Sequence, residues 1–147
     1  MGLAILKPFM LSRLKEDTDL KLPNKIETHI YCPPSEIQKE LQRNLVLLRK
    51  VNPKQVGQAG NILMLLRELA SHPYIIPGVE EGDDEFPEHL VTNCGKMKIL
   101  DKLVKKLRNE GHRILIFSQF KTMLDILADY CTMRGYTFFR LDGDTNI

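Results

Sequence analysis

The chain has 147 residues, 43% of them hydrophobic and 27% charged, with a formal net charge of +2. That length is one domain's worth, and the balance is globular rather than disordered. A charge so close to neutral excludes any general argument for nucleic-acid binding, which must rest instead on local patches.

Taken in order, residues 3–17 place apolar side chains at Leu3, Ile5, Leu6, Phe9, Met10, Leu11 and Leu14. Pro8 forbids an unbroken helix because it has no amide donor, so two short helices with a kink are expected. Leu22-Pro23-Asn24 ends that unit. Ile26, Thr28 and Ile30 fall at every second position, which predicts a half-buried strand from Lys25 to Tyr31, closed by Pro33-Pro34. Ser35 stands three residues before Gln38, the spacing of a capping box. Ile37, Leu41, Leu45 and Leu48 then predict a helix over about 35–50. A loop runs from Asn52-Pro53 to Gly60. A second apolar helix, about 61–71, is stopped by His72-Pro73. Between Pro77 and Leu90 lie six acids (Glu80, Glu81, Asp83, Asp84, Glu85, Glu88) and no Lys or Arg, the composition of a solvated loop.

The last third is the most regular. Met97, Leu100, Leu103, Val104 and Leu107 make an amphipathic helix with Gly111 as its stop. Ile114 to Phe117 is an apolar run that reads as a strand buried on both faces. A helix over about 121–134 follows, ended by Gly135, and Thr137 to Leu141 reads as another strand. Strand, helix and strand at this spacing predict a βαβ unit with parallel strands. Both strands finish in polar clusters, Ser118-Gln119 and Asp142-Gly143-Asp144-Thr145. Parallel topology puts these clusters on one sheet edge, where open α/β sheets bind ligands.

The chemistry on offer is limited. Cys32, Cys94 and Cys131 include no C-x-x-C pair, and the four histidines include no i, i+4 pair, so no metal site is expected. Reduced thiols in an intracellular protein are the better reading. His72, before Pro73, reads as a capping or packing residue. Cys94-Gly95-Lys96-Met97 fails as a P-loop, with Leu90 at the first glycine and Met97 at the magnesium-binding hydroxyl, though Lys96 is kept as a phosphate candidate. No glycine stands at Ser118–Thr122, which excludes a dinucleotide turn. No catalytic residue is identified, and no apolar run reaches the roughly 20 residues of a membrane span. The shared edge is richer. Ser118, Gln119 and Thr145 can donate to phosphate oxygens, Gly143 allows close backbone approach, and Lys121 and Arg140 add charge. Such groups suit contacts to a nucleic-acid backbone, which position without reading sequence. The competing reading is that Ser118 and Thr145 merely cap loops.

Several motifs occur together. Leu6-Lys7-Pro8-Phe9-Met10-Leu11, Arg13-Leu14-Lys15-Glu16-Asp17 and Leu22-Pro23-Asn24-Lys25 come first. His72-Pro73-Tyr74, Gly95-Lys96-Met97, Leu100-Asp101-Lys102-Leu103, Ile114–Gln119, Leu124–Leu127 and Arg140-Leu141-Asp142-Gly143 follow in order. This series resembles the segment of Swi/Snf-type chromatin-remodelling ATPases that joins the two motor lobes and opens the second. His89-Leu90-Val91-Thr92-Asn93 before Gly95-Lys96 looks most like the imitation-switch branch, with the chromodomain-helicase branch the alternative. Three places depart from the family's pattern: Ser12 for a second arginine, Thr18 for valine, and Glu68–Ser71 for a basic, Cys-rich run.

The resemblance implies an α/β fold, a partial RecA-like (P-loop NTPase-type) lobe with parallel strands preceded by a helical linker and protrusion. Residues 1–34 would be the inter-lobe linker, with Arg13 and Lys15 in it. Residues 35–76 would be the protrusion, 77–92 the acidic loop and 93–147 the start of the second lobe. It implies a nuclear, DNA-stimulated translocase that uses ATP and Mg2+ and acts on duplex DNA and nucleosomes. This stretch would supply DNA-backbone contacts and lobe coupling. Walker A and Asp-Glu-x-His sequences are absent from it, so no cofactor and no hydrolysis are expected of these residues alone, and an exposed sheet edge would favour self-association. A non-catalytic DNA- or protein-interaction module is the reading from a different class.

Overall fold

The computed structural model describes residues 9–10, 24–51, 62–79 and 88–145. The chain divides into two compact units, Met1–Ile30 and Tyr31–Ile147. In the first, Lys25 pairs with Glu27. The strand expected from Lys25 to Tyr31 does not form: residues 25–31 belong to no ladder, and Ile26 is exposed. β-branched alternation describes a surface that fits a sheet, and it forms one only where a second strand is there to pair. The short helices expected over 3–17 lie outside the described residues, as do Arg13, Lys15, Ser12, Thr18, the loop at 52–60 and Glu80–Glu85.

The second unit is built on helices α1 (Glu36–Val51), α2 (Ile62–Ser71), α3 (His89–Thr92), α4 (Gly95–Asn109) and α5 (Lys121–Met133), with a 3-10 turn at Pro73–Ile75. Each long helix falls within a residue or two of its expected position. α1 begins with the capping box: the Gln38 amide donates to Ser35 Oγ (3.2 Å) and the Ser35 amide donates to Gln38 Oε1 (3.0 Å). α4 and α5 end alike. In α4, Gly111 N–H donates to Arg108 O and His112 N–H to Leu107 O; in α5, Gly135 N–H donates to Thr132 O and Tyr136 N–H to Cys131 O. These are two Schellman motifs, and the positive φ of Gly111 (78°) and Gly135 (66°) is the conformation that makes glycine the residue there.

Gln38 does more than cap. Its buried carboxamide also accepts from the Gly95 amide (3.0 Å) and donates to Leu69 O (2.7 Å). One side chain thus joins the start of α1, the end of α2 and the start of α4. Around it, Ser35 Oγ donates to Asn93 O, Asn93 Nδ2 donates to Tyr74 Oη (2.7 Å), and Cys94 Sγ contacts Ser71 O (3.3 Å). Gly95 is required by space: a Cβ built on it would stand 1.8 Å from Pro33 O.

His72 is fully buried and caps the 3-10 turn, its Nδ1 accepting from the Tyr74 amide at 3.2 Å. Nδ1 therefore carries no proton, and Nε2–H donates to Leu90 O at 2.9 Å. Burial lowers its pKa from the ordinary imidazole value, the Leu90 bond opposes that shift, and neighbouring His89 adds to it. The capping role matches the sequence expectation. Both ring nitrogens of His89 are buried without a hydrogen-bond partner, against the usual cost of leaving such groups unpaired.

The core lies between α3, α4 and α5, where Val91, Cys94, Met97, Met123, Leu127 and Tyr130 are buried together. Its rim is locked by charge. Arg134 donates through Nε to Asp101 (2.8 Å) and through both terminal nitrogens to Glu88 (2.9 and 2.7 Å), while Tyr130 Oη donates to Asp101 (3.0 Å). Arg108 lies over the Tyr136 ring at 4.3 Å, tying the C-terminal ends of α4 and α5 together.

The expected parallel strands are corrected: among the described residues no strand forms. Residues 113–117 and 137–141 keep only the period of a strand. Leu115, Phe117, Phe139 and Leu141 are between 80% and 100% exposed, whereas Ile116 and Phe138 are 39% and 42% exposed and Ile114 and Arg140 are half-buried. Ile114 to Phe117 is therefore not buried on both faces. A buried parallel strand needs a ladder partner and a cover on each face, and the described residues supply neither a ladder nor a second cover.

Two outcomes are expected. Gln38→Met keeps the volume but leaves the Gly95 amide and the Leu69 carbonyl unpaired, so stability should fall by about 2–4 kcal/mol, against about 1 kcal/mol for Ser35→Ala. Urea unfolding of the two variants checks the ratio, and equal losses would reduce Gln38 to a cap. The second concerns pH. With its folded pKa lowered, His72 contributes stability that is complete above the ordinary value of 6.5 and is lost as pH falls from there through the folded value. The urea midpoint should drop between pH 7 and pH 5, and drop less in His72→Gln.

Candidate functional site

No sheet aligns the two polar clusters among the described residues. Lys121, the first residue of α5 and two residues after Gln119, forms an ion pair with Asp144. That bond ties the start of α5 to the Asp142–Thr145 loop.

Each cluster is closed by its own side chains. Ser118 Oγ accepts from the Phe120 amide (3.1 Å) and donates to Phe120 O (3.2 Å), a local turn that uses its only proton. Asp142 N–H donates to Thr145 Oγ1 (3.0 Å), and Thr145 N–H donates back to Asp142 O (3.1 Å). Asp142 Oδ1 accepts from the Asp144 amide at 3.0 Å. Ser118 and Thr145 thus do the loop-closing work that the competing reading assigned them. Gly143 is exposed, and a Cβ on it would meet nothing within 4 Å, so its backbone is open to approach from outside.

The cations are already matched. Arg140 donates through Nε to Asp142 (2.8 Å) and through a terminal nitrogen to Asp125 (2.6 Å). Those carboxylates raise the Arg140 pKa, Asp125 foremost, and the Asp144 hydrogen bond raises that of Lys121. The Asp142 carboxyl is lowered, first by the Asp144 amide and then by Arg140. Lys121 and Arg140 are paired with Asp125, Asp142 and Asp144, and Arg67 meets the neutral Gln119 carboxamide, so three cations are set beside three carboxylates and little net charge remains.

Arg67 is a residue the sequence expectations did not single out. It reaches from α2 to donate to Gln119 Oε1 and lies over the Phe120 ring at 5.9 Å. No local signal marks it, because the contact spans 52 positions of sequence.

Lys96 is exposed near the start of α4, away from any nucleotide cradle. The Gly95 amide is taken by Gln38 and its Cα face is filled by Pro33 O. Burial raises the Cys94 thiol, against the pull of the Met97 and Lys96 amides that face the sulfur. The first-turn amides on which a phosphate would rest are thus engaged, and this helix end does not fit ATP or Mg2+. Among the described residues no group of three or more His, Cys, Asp or Glu side chains could hold a metal ion, and no helix is long and apolar enough to cross a membrane.

Comparison with known proteins extends these observations. The SNF2-related domain matches residues 3–75, and the helicase conserved C-terminal domain matches residues 95–147. Both imply a RecA-like superfamily-two fold. The human "SWI/SNF-related matrix-associated actin-dependent regulator of chromatin subfamily A member 1" is 45% identical over 97% of this chain. The Saccharomyces cerevisiae "ISWI chromatin-remodeling complex ATPase ISW1" is 42% identical over 96%. A "Chromodomain-helicase-DNA-binding protein 1-like" from Danio rerio is 40% identical over 95%. The chain spans only 13–14% of the length of these relatives. With both domain matches in order and identity of 40–45% along nearly the whole chain, it belongs to the Swi/Snf-type family of chromatin-remodelling ATPases, among imitation-switch relatives.

Proposed function

We propose that the chain forms the linker, protrusion and opening of the second lobe in the motor of an ATP-dependent nucleosome remodeller, and that the edge joining Gln119 to Thr145 contacts the DNA backbone. Residues 1–34, with Arg13 and Lys15, act as the inter-lobe linker, 35–76 as the protrusion, 77–92 as the acidic loop and 93–147 as the N-terminal part of the second lobe. Residues 113–117 and 137–141 become parallel strands once a larger sheet pairs them. Relatives named as chromatin-remodelling ATPases support duplex DNA and nucleosomes as partners, ATP with Mg2+ as the cofactor of the whole enzyme, and the nucleus as its location.

The observation that supports the DNA assignment is the Lys121–Asp144 bond, which ties the helix start that follows Gln119 to the loop carrying the open backbone of Gly143. DNA-backbone contacts are made by hydroxyls, amides and main-chain N–H groups as well as by cations. With its cations paired, this edge would act through the Gln119 carboxamide and the main chain around Gly143. Thr145 would hold that loop in shape, and Lys121 and Arg140 would fix its position. Lys96 faces outward and is left as a peripheral phosphate contact, apart from nucleotide chemistry.

The test uses a full-length remodeller carrying this segment. Gln119→Ala should lower DNA-stimulated ATP hydrolysis by about tenfold, the worth of one charge-assisted hydrogen bond, and Thr145→Ala should lower it by loosening the loop around Gly143, each changing basal hydrolysis far less. Equal loss of both activities would count against a DNA contact.

A further inference from the structure

Arginine has donors and no acceptor, so a carboxamide facing it must present oxygen. Gln119 does so, its Oε1 accepting from Arg67, and its NH2 is thereby turned away from Arg67 as the remaining pair of donors. The Arg67 guanidinium lies over the Phe120 ring at 5.9 Å, on a helix whose Leu69 is buried and whose last turn is tied to Gln38. A freely rotating carboxamide would present oxygen to a phosphate as often as nitrogen, and oxygen is repelled.

We infer that Arg67 is a positioning residue for the proposed DNA edge: it fixes the Gln119 amide with its NH2 outward, so that the turn meets a phosphate as a donor. The inference rests on the DNA-backbone reading and names the residue that makes Gln119 competent for it. It also makes α2, within the SNF2-related match, a direct support of a turn in the helicase C-terminal match.

The charge-preserving variant Arg67→Lys separates orientation from charge, because lysine lacks the planar fork that holds an amide oxygen in one direction. Binding of a full-length remodeller carrying this segment to a fluorescent 30-base-pair duplex is followed by anisotropy for wild type, Arg67→Lys, Gln119→Ala and the double variant. Gln119→Ala should weaken binding about five- to tenfold and Arg67→Lys about twofold, and the double variant should be no weaker than Gln119→Ala alone. Without DNA, the side-chain NH2 signals of Gln119 should move towards free-amide positions in Arg67→Lys, while those of Gln38 stay in place. Arg67 is exposed, so a stable fold is expected, and unchanged Gln38 signals verify it. Wild-type affinity for Arg67→Lys beside a weakened Gln119→Ala overturns the role of Arg67 and leaves the DNA edge standing. Additive losses in the double variant also overturn it. Wild-type affinity for Gln119→Ala overturns the DNA edge, and this inference with it.

Discussion

The carboxamide of Gln38 holds the larger unit in register. A buried amide is costly unless all its groups are paired, and this one is paired by residues from three parts of the chain: Ser35, Leu69 and Gly95. Side chains of other shapes could fill the space, but few could accept two amide protons and reach a carbonyl as well. Where α4 begins is therefore set by α1. Since α4 packs on α5 and α5 starts at Lys121, the turn carrying Gln119 takes its position from a chain of contacts that starts at this one amide.

The helices were legible because their signals are local. A capping box, helical spacing of leucines and a glycine after each amphipathic run lie within a few residues of the structure they specify. The Schellman ends at Gly111 and Gly135 bear this out. What was not legible depended on distant neighbours. The capping box did not announce that Gln38 would also bind Leu69 and Gly95. Nothing next to Gly95 in sequence announces that the Pro33 carbonyl allows no side chain there. The expected strands failed for a related reason: the alternation at 113–117 and 137–141 survives as alternating exposure, but a ladder is a property of two segments and not of one sequence.

A shared sheet edge requires parallel strands, and no strand forms among the described residues; what links this region is an ion pair from Lys121, at the start of α5, to Asp144. Its electrostatics were not legible. Lys121 and Arg140 read in sequence as charge available to a ligand, and each proves to be occupied by carboxylates, two of them, Asp142 and Asp144, two and four residues after Arg140. Those two acids sit in the same short motif as Arg140, where a count of basic residues overlooks them.

That balance has a kinetic consequence. A surface of uncompensated cations holds a polyanion through the release of its counterions, and letting go means taking those ions back. An edge of oriented dipoles over paired charges casts little field beyond a few ångströms, so it does not draw a strand in from afar. In the proposed DNA contact it would grip only when phosphate and donor are in register and release when they slip out. Such a contact would resemble a pawl more than an adhesive.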